Sequence, residues 1–248
     1  MLLIAAALAE ELHLALDLCA SKEKVVRHGI SFWQASRGGR TIYFLKTGVG
    51  PRRSAANLKH LLGVTGISHI FVLGYGGALD PDLKLGDLVI VRKALDFSSL
   101  RKLQLPLEEV EPDGFWELEH SEDLIKAGMT AGISFQVGET LTSPYVIGDP
   151  SQKRLLYKRF HTSLVDMETA ALAREATSRG IPLSCVRTVS DEADDSLLAP
   201  FSYDPTSSAS SRAVKLISAR NWVNFYRQWK ERAVVAGESL QRFLSSYL

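Results

Sequence analysis

The sequence predicts an α/β fold: a three-layer sandwich in which helices flank both faces of a central mixed β-sheet. Three observations carry that reading. Apolar runs of strand length alternate with stretches of helical period along most of the chain. Hairpin signals interrupt the alternation, so the sheet is mixed and not purely parallel. Glycine or acidic residues stand where several apolar runs end, and ligands of such sheets gather at the carboxyl ends of strands.

Taken in order, Leu2 to Leu8 reads as a buried strand. Glu10 to Ala20 reads as a helix, with Leu12, Leu16 and Cys19 on one stripe. Ile30 to Ala35 and Thr41 to Lys46 are two short β-type runs, joined by the hairpin turn Arg37-Gly38-Gly39-Arg40. Thr47-Gly48-Val49-Gly50-Pro51 is a glycine loop whose proline suits the first turn of a helix carrying Ala55, Leu58 and Leu62. His69 to Leu73 is a strand that runs into Gly74-Tyr75-Gly76-Gly77. Those glycines are either a tight turn or backbone brought close to a ligand. Leu88 to Val91 is the next strand, and residues 98–115 form an excursion loop rich in Pro, Glu and Asp.

The second half reads as a helix at Ser121 to Ala131, a strand at Ser134 to Val137 and a helix at Pro150 to Phe160. Ser163 to Val165 is a short strand. Asp166 to Ser178 is a helix closed by Gly180. Leu183 to Val189 is a strand ending in Ser190-Asp191. After a Ser-rich connection at Asp204 to Ser211, a long helix carries Trp222, Phe225, Tyr226, Trp229, Ala233, Ala236, Leu240, Phe243 and Tyr247 on one stripe. Such a stripe meets the core or a second subunit, and at least a homodimer is expected. No repeat or linker is visible, so residues 1–248 are expected to form a single domain with a long C-terminal helix.

Composition excludes several function classes. Of 248 residues, 29 are basic and 28 acidic, which leaves no electrostatic case for gripping nucleic acid or an anionic membrane. Cys19 and Cys185 are too few for a disulfide framework and read as reduced core thiols. The apolar start lacks a preceding basic region and is too short to span a bilayer, so a cytoplasmic protein acting on a small molecule or on another protein is expected. The six histidines are scattered without ligand spacing, and no metal or organic cofactor is implied. Nucleophile-elbow, phosphate-loop and dinucleotide-binding motifs are absent.

The acidic residues are more informative. Glu11 follows an apolar strand, Asp191 ends another, and Glu168 opens a helix that is otherwise mostly Ala and Leu. Each alone has a plain reading as a helix-start acid or cap. Together with their neighbours they mean more. Val165-Asp166-Met167-Glu168-Thr169-Ala170-Ala171 and Val186-Arg187-Thr188-Val189-Ser190-Asp191-Glu192-Ala193-Asp194 resemble segments of the nucleoside phosphorylase and nucleosidase superfamily. Ile4 to Leu12, the loop at 47–50, Gly74 to Leu79 and Leu83 to Asp87 fall in that family's order. The nearest branch in pattern resembles methylthioadenosine/S-adenosylhomocysteine nucleosidase.

The resemblance implies a phosphorylase/hydrolase-like sandwich and cleavage of a purine-type nucleoside. It puts Asp191 on the acid that protonates or hydrogen-bonds N7 of the leaving base, with Ser190 orienting it, and Glu11 on the base that activates water. Glu168 would accept hydrogen bonds from ribose hydroxyls and Met167 would pack on the sugar. Gly76 and Gly77 would line the sugar pocket, Tyr145 would stack on the base and Val146 would offer its backbone. The chemistry suits these residue types: bond breaking leaves positive charge on the sugar and negative charge on the base, so one carboxyl group supplies a proton while another activates water.

Departures bear on the substrate. Tyr75 stands where the family's nucleosidases carry a small hydroxyl residue, and would fill space near the sugar or an anion. Asp166 stands where a Glu is usual. Residues 197–220 extend beyond the compact nucleosidases; their basic cluster (Arg212, Lys215, Arg220) reads as solvated surface. The strand Ile70-Phe71-Val72-Leu73 lacks the cation that phosphorylases bring to phosphate, which favours water as acceptor. Arg52 and Arg53 at a helix N-terminus keep phosphate open as the alternative. That alternative includes a hopanoid-biosynthesis-associated branch with similar glycine loops. A non-catalytic nucleoside-binding module is a third reading.

Overall fold

The structure, a computed structural model, describes residues 1–99, 110–119, 121–197 and 219–248, the last stretch with side chains from Trp229 onward. In chain order the elements are β1 (Leu2–Ala6), α1 (Ala9–Leu16), β2 (Ala20–Arg27), β3 (Ile30–Arg37), β4 (Arg40–Lys46), α2 (Pro51–Leu62), β5 (His69–Ala78) and β6 (Leu88–Asp96). They continue with β7 (Gly114–Glu117), α3 (Glu122–Ala131), β8 (Phe135–Thr142), α4 (Pro150–Phe160), β9 (Leu164–Asp166), α5 (Thr169–Thr177), β10 (Leu183–Asp191) and α6 (Ala219–Tyr247).

Among the described residues, ten strands form one mixed sheet. The apolar β1 lies between β4 and β5, parallel to both. The β2–β3–β4 meander continues the sheet on one side. On the other side, β5 pairs with β10, β10 with β6, β6 with β8, β8 with β9, and β9 returns to β5, so this half closes on itself. The β3–β4 connection is the expected two-residue hairpin, with Gly38 and Gly39 at φ 56° and 75° as its turn requires.

Helices cover both faces, as the fold class requires. Leu58 and Leu61 of α2 pack with Leu172 and Ala176 of α5 against one face of the sheet. Leu12 and Leu16 of α1 pack with Leu240 and Phe243 of α6 against the other. From Trp229 onward, the apolar stripe of α6 is therefore largely a core contact: Ala236, Leu240 and Phe243 are fully buried, and Tyr247 meets Phe71 at 5.0 Å. Helix α4 closes a third cluster with Leu141, Ile147 and Phe97. No helix among the described residues is long and apolar enough to cross a membrane.

Several expectations are corrected. The first strand stops at Ala6 and its helix at Leu16, because the chain must turn to lay β2 beside β3. Strand β2 escapes the sequence pattern because nearly all of it is exposed and half of it is charged, as suits a sheet edge. Gly74 to Gly77 is not a turn but the second half of β5. Helix α5 begins at Thr169, since Asp166 still belongs to β9. Residues 98–115 include the start of β7. The Ser-rich connection, Arg212 and Lys215 lie outside the described residues, as does the side chain of Arg220.

Candidate active site

The carboxyl ends of β1, β5, β9 and β10 meet around a cluster of buried charges. Strand β5 pairs with β1 only as far as Val72 and with β9 only from Gly77. Between those points one edge of β5 has no strand partner. The Tyr75 N–H on that edge donates to Glu11 Oε1 at 3.0 Å, and its carbonyl accepts from Arg187 Nη1 at 3.4 Å.

Glu11 sits in the first turn of α1, where the helix dipole favours an acid. Its other oxygen accepts from the Leu8 N–H at 2.8 Å. Burial pushes its carboxyl above the usual range, opposed in part by the Arg187 charge and the two N–H bonds. Glu168, at the N-terminus of α5, turns its carboxylate away from its own helix. It accepts from the Gly50 N–H at 2.9 Å and stands 3.6 Å from Arg187 Nη2. Its carboxyl is pushed up to about 7, chiefly by burial, with Asp166 adding and Arg187 opposing.

Arg187 organises this cluster, and the sequence reading did not assign it a role. It is 1% exposed, lies 3.3 Å from Asp166 Oδ2 through Nε, and donates to Thr169 Oγ1 at 2.8 Å. Asp166 in turn accepts from Thr142 Oγ1 at 2.8 Å, from the Glu168 and Thr169 N–H groups at 3.1 Å each, and from the Thr169 hydroxyl. A lone basic residue in the middle of a strand buried along its whole length, four residues before Asp191, was the available signal. Charge so placed is retained only where it is paired.

Asp191 ends β10, fully within the sheet. Ser190 Oγ stands 2.8 Å from its Oδ1. Lys153 of α4, 0% exposed, donates to its Oδ2 and, at 2.7 Å, to the Glu192 carbonyl. Lys153 was also missed, because a lysine in a helix with Lys158 and Arg159 reads as solvated. Glycines make room for these groups. A Cβ on Gly74 would lie 2.5 Å from Arg187 Nη1 and 2.8 Å from Glu11 Oε1; one on Gly77 would lie 2.8 Å from Asp191 Oδ2.

The remaining expected residues are placed as follows. Met167 is half-buried between Asp166 and Glu168. Tyr145 and Val146 are half-buried beyond β8; the Tyr145 N–H donates to Ser143 Oγ, and the Ser143 N–H to the Asp166 carbonyl, which ties this loop to β9. Gly76 is buried against the Val165 carbonyl. The Tyr75 ring, expected near the sugar or an anion, packs instead towards α6. It meets Trp229 at 6.4 Å, and its hydroxyl lies 3.0 Å from where a Cβ of Gly237 would stand. Arg52 and Arg53 are exposed at the start of α2, and the Arg53 side chain folds back over Gly48. Among the described residues, no group of His, Cys, Asp and Glu has a metal-holding arrangement. A cavity of about 860 Å³ opens at the opposite end of β1, beside Met1, Arg40, Asp123 and Tyr247, and touches none of these residues.

Known proteins share this architecture. The family model described as the phosphorylase superfamily matches residues 2–219. A DeoD-type purine nucleoside phosphorylase of Caldanaerobacter subterraneus subsp. tengcongensis is 27% identical over 153 residues, 62% of this chain and 65% of that protein. The match thus spans less than two thirds of the curated relative's length. The futalosine hydrolase of Helicobacter pylori superposes with a TM-score of 0.72 at 19% identity, covering 99% of this chain and 96% of that one. The 5′-methylthioadenosine/S-adenosylhomocysteine nucleosidase of the same organism gives 0.72 at 20% identity, with the same coverage. At such identity the structural likeness is one of fold.

Proposed function

The chain belongs to the phosphorylase superfamily, and from that premise we propose that it cleaves the N-glycosidic bond of a purine-type nucleoside, with water as the acceptor. One observation carries the choice of water. The Glu11 carboxylate takes two backbone N–H groups, of Leu8 and Tyr75, at the junction of β1 and β5. An anion at this place would meet a carboxylate where it needs donors. Two like charges about 4 Å apart repel by roughly 1–4 kcal/mol between bulk water and a protein surface.

In this reading Glu11 takes the proton of the attacking water, and its burial makes it a better base than a solvated carboxylate. The water oxygen bonds to the anomeric carbon as the bond to the base breaks. The bonding pair leaves with the base, which Asp191 protonates. Glu168 accepts from ribose hydroxyls, Met167 packs on the sugar, Gly76 and Gly77 leave it room, and Tyr145 with Val146 holds the base. Arg187 screens Glu11, Asp166 and Glu168 from one another. The protein is read as a single cytoplasmic domain that assembles at least as a homodimer. A monomer by light scattering at micromolar concentration would remove the last element.

The test is a panel of nucleosides incubated with and without phosphate. Free base and free sugar should appear at equal rates in both, and Glu11→Gln should lower turnover by ~10²–10⁴-fold. Phosphorolysis is the second reading, favoured by the exposed Arg53 folded over the glycine loop at the start of α2. It requires a sugar 1-phosphate product and a raised Michaelis constant for phosphate in Arg53→Ala. A binding module without catalysis would release no base at all.

A further inference from the structure

We infer that Lys153 is a positioning residue for the reaction and the proton reservoir of Asp191. The inference rests on the reading of Asp191 as the acid facing the leaving base.

The geometry is unusual for a surface helix. Helix α4 sends the Lys153 side chain inward until it is 0% exposed, and its ammonium meets Asp191 Oδ2 and the Glu192 carbonyl. Its only recorded ion-pair partner among the described residues is Asp191. The other Asp191 oxygen is held by Ser190. The pair sits apart from the Arg187 cluster, whose recorded ion-pair partners are Asp166 and Glu168. Stability does not explain such a pair. Desolvating both charges offsets most of their attraction, and well-packed apolar residues in the same place often do as well. The pair stands at the carboxyl end of β10, where the ligands of such sheets gather.

The proton balance gives the pair a role. The pair carries one transferable proton between its two groups. As the carbon–nitrogen bond breaks, its electron pair moves onto the base. The base takes a proton from Asp191, and Asp191 takes one from the Lys153 ammonium. Lysine ends neutral and the carboxylate ends ionised. Glu11 meanwhile holds the proton released by water. Solvent takes that proton and returns one to Lys153, so the net reaction is nucleoside plus water to base plus sugar. Without the ammonium, Asp191 has no neighbouring donor to draw on and must take each proton it passes on from solvent.

The experiment compares Lys153→Met and Lys153→Arg with wild type on two substrates: a purine nucleoside, and a riboside whose leaving group is 4-nitrophenolate and needs no proton. Lys153→Met should lower kcat on the purine nucleoside by ~10²–10³-fold with KM changed less than about 3-fold. It should cleave the nitrophenyl riboside within about 3-fold of wild type, and Lys153→Arg, which keeps the charge but gives up no proton, should lose purine turnover much as Lys153→Met does. Equal losses on both substrates in a folded Lys153→Met overturn the inference, as does unchanged purine turnover. Should Lys153→Met fail to fold, Lys153→Arg decides: a larger loss on the purine nucleoside than on the riboside supports the role, and equal effects overturn it. Wild-type protein that releases no base from any nucleoside removes the proposed function itself, and this inference with it.

Discussion

From His69 to Leu73, β5 carries its apolar side chains into both helix layers; from Gly74 to Ala78 three of the five residues of the same strand are glycine. The first half is ordinary core. Phe71 is fully buried and holds Tyr247 of α6, Val72 faces the opposite layer, and β1 pairs alongside. The second half loses β1, gains β9, and is surrounded by Glu11, Arg187 and Asp191, which stand where side chains of β5 would otherwise be. The contrast teaches that a site for buried charge was made by omitting atoms from a strand. Close packing leaves no other source of space.

The sharpest way to break the comparison is Arg187→Met. It leaves Glu11, Asp166 and Glu168 without their shared cation, and removing one partner of a buried pair costs about 3–5 kcal/mol. Denaturant unfolding should register that loss, and activity should vanish. A soluble variant of wild-type stability would show that the guanidinium does not hold the cluster. Phe71→Ala should cost about 3–5 kcal/mol as well, by cavity formation. Its folded fraction should keep the wild-type kcat, because the first half of β5 touches no charged group of the site. Comparable loss of kcat would erase the distinction between the halves.

Gly77→Ala should do the reverse. A methyl 2.8 Å from Asp191 Oδ2 must push that side chain off Lys153, so kcat on a purine nucleoside should fall about 10–100-fold while stability changes by about 1 kcal/mol. Unchanged kcat would place Asp191 outside the chemistry.

The smallest effect is the pH dependence of Glu168. Its carboxyl is raised from 4.5 to about 7, so the folded state prefers the protonated form. The stability it contributes is complete below pH 4.5 and is lost as pH rises through about 7. Glu168→Gln should therefore be more stabilising at pH 8 than at pH 4.5, by roughly 1–3 kcal/mol. A difference in Tm between variant and wild type that does not change with pH would mean that Arg187 keeps Glu168 ionised.

Local pattern made much of this molecule legible. The β3–β4 hairpin announces itself in Gly38-Gly39, α4 in the run that opens at Pro150, and α6 in its 3.6-residue stripe. Family membership followed from short motifs, and with it the approach of Glu11 and Glu168 to one place. These features depend on near neighbours in the chain, and periodicity and turn chemistry report near neighbours faithfully. Tertiary structure decided the rest. Arg187 and Lys153 look like any other cations until partners 21 and 38 residues away remove water from them. Gly74 to Gly77 reads equally as a tight turn or as backbone close to a ligand until Arg187 and Asp191 fill the missing side-chain positions, and Tyr75 is committed to a face only by Trp229 and Gly237. The desolvation of a charge and the direction of a ring are set by whatever surrounds them in space, and that environment comes from the assembled sheet.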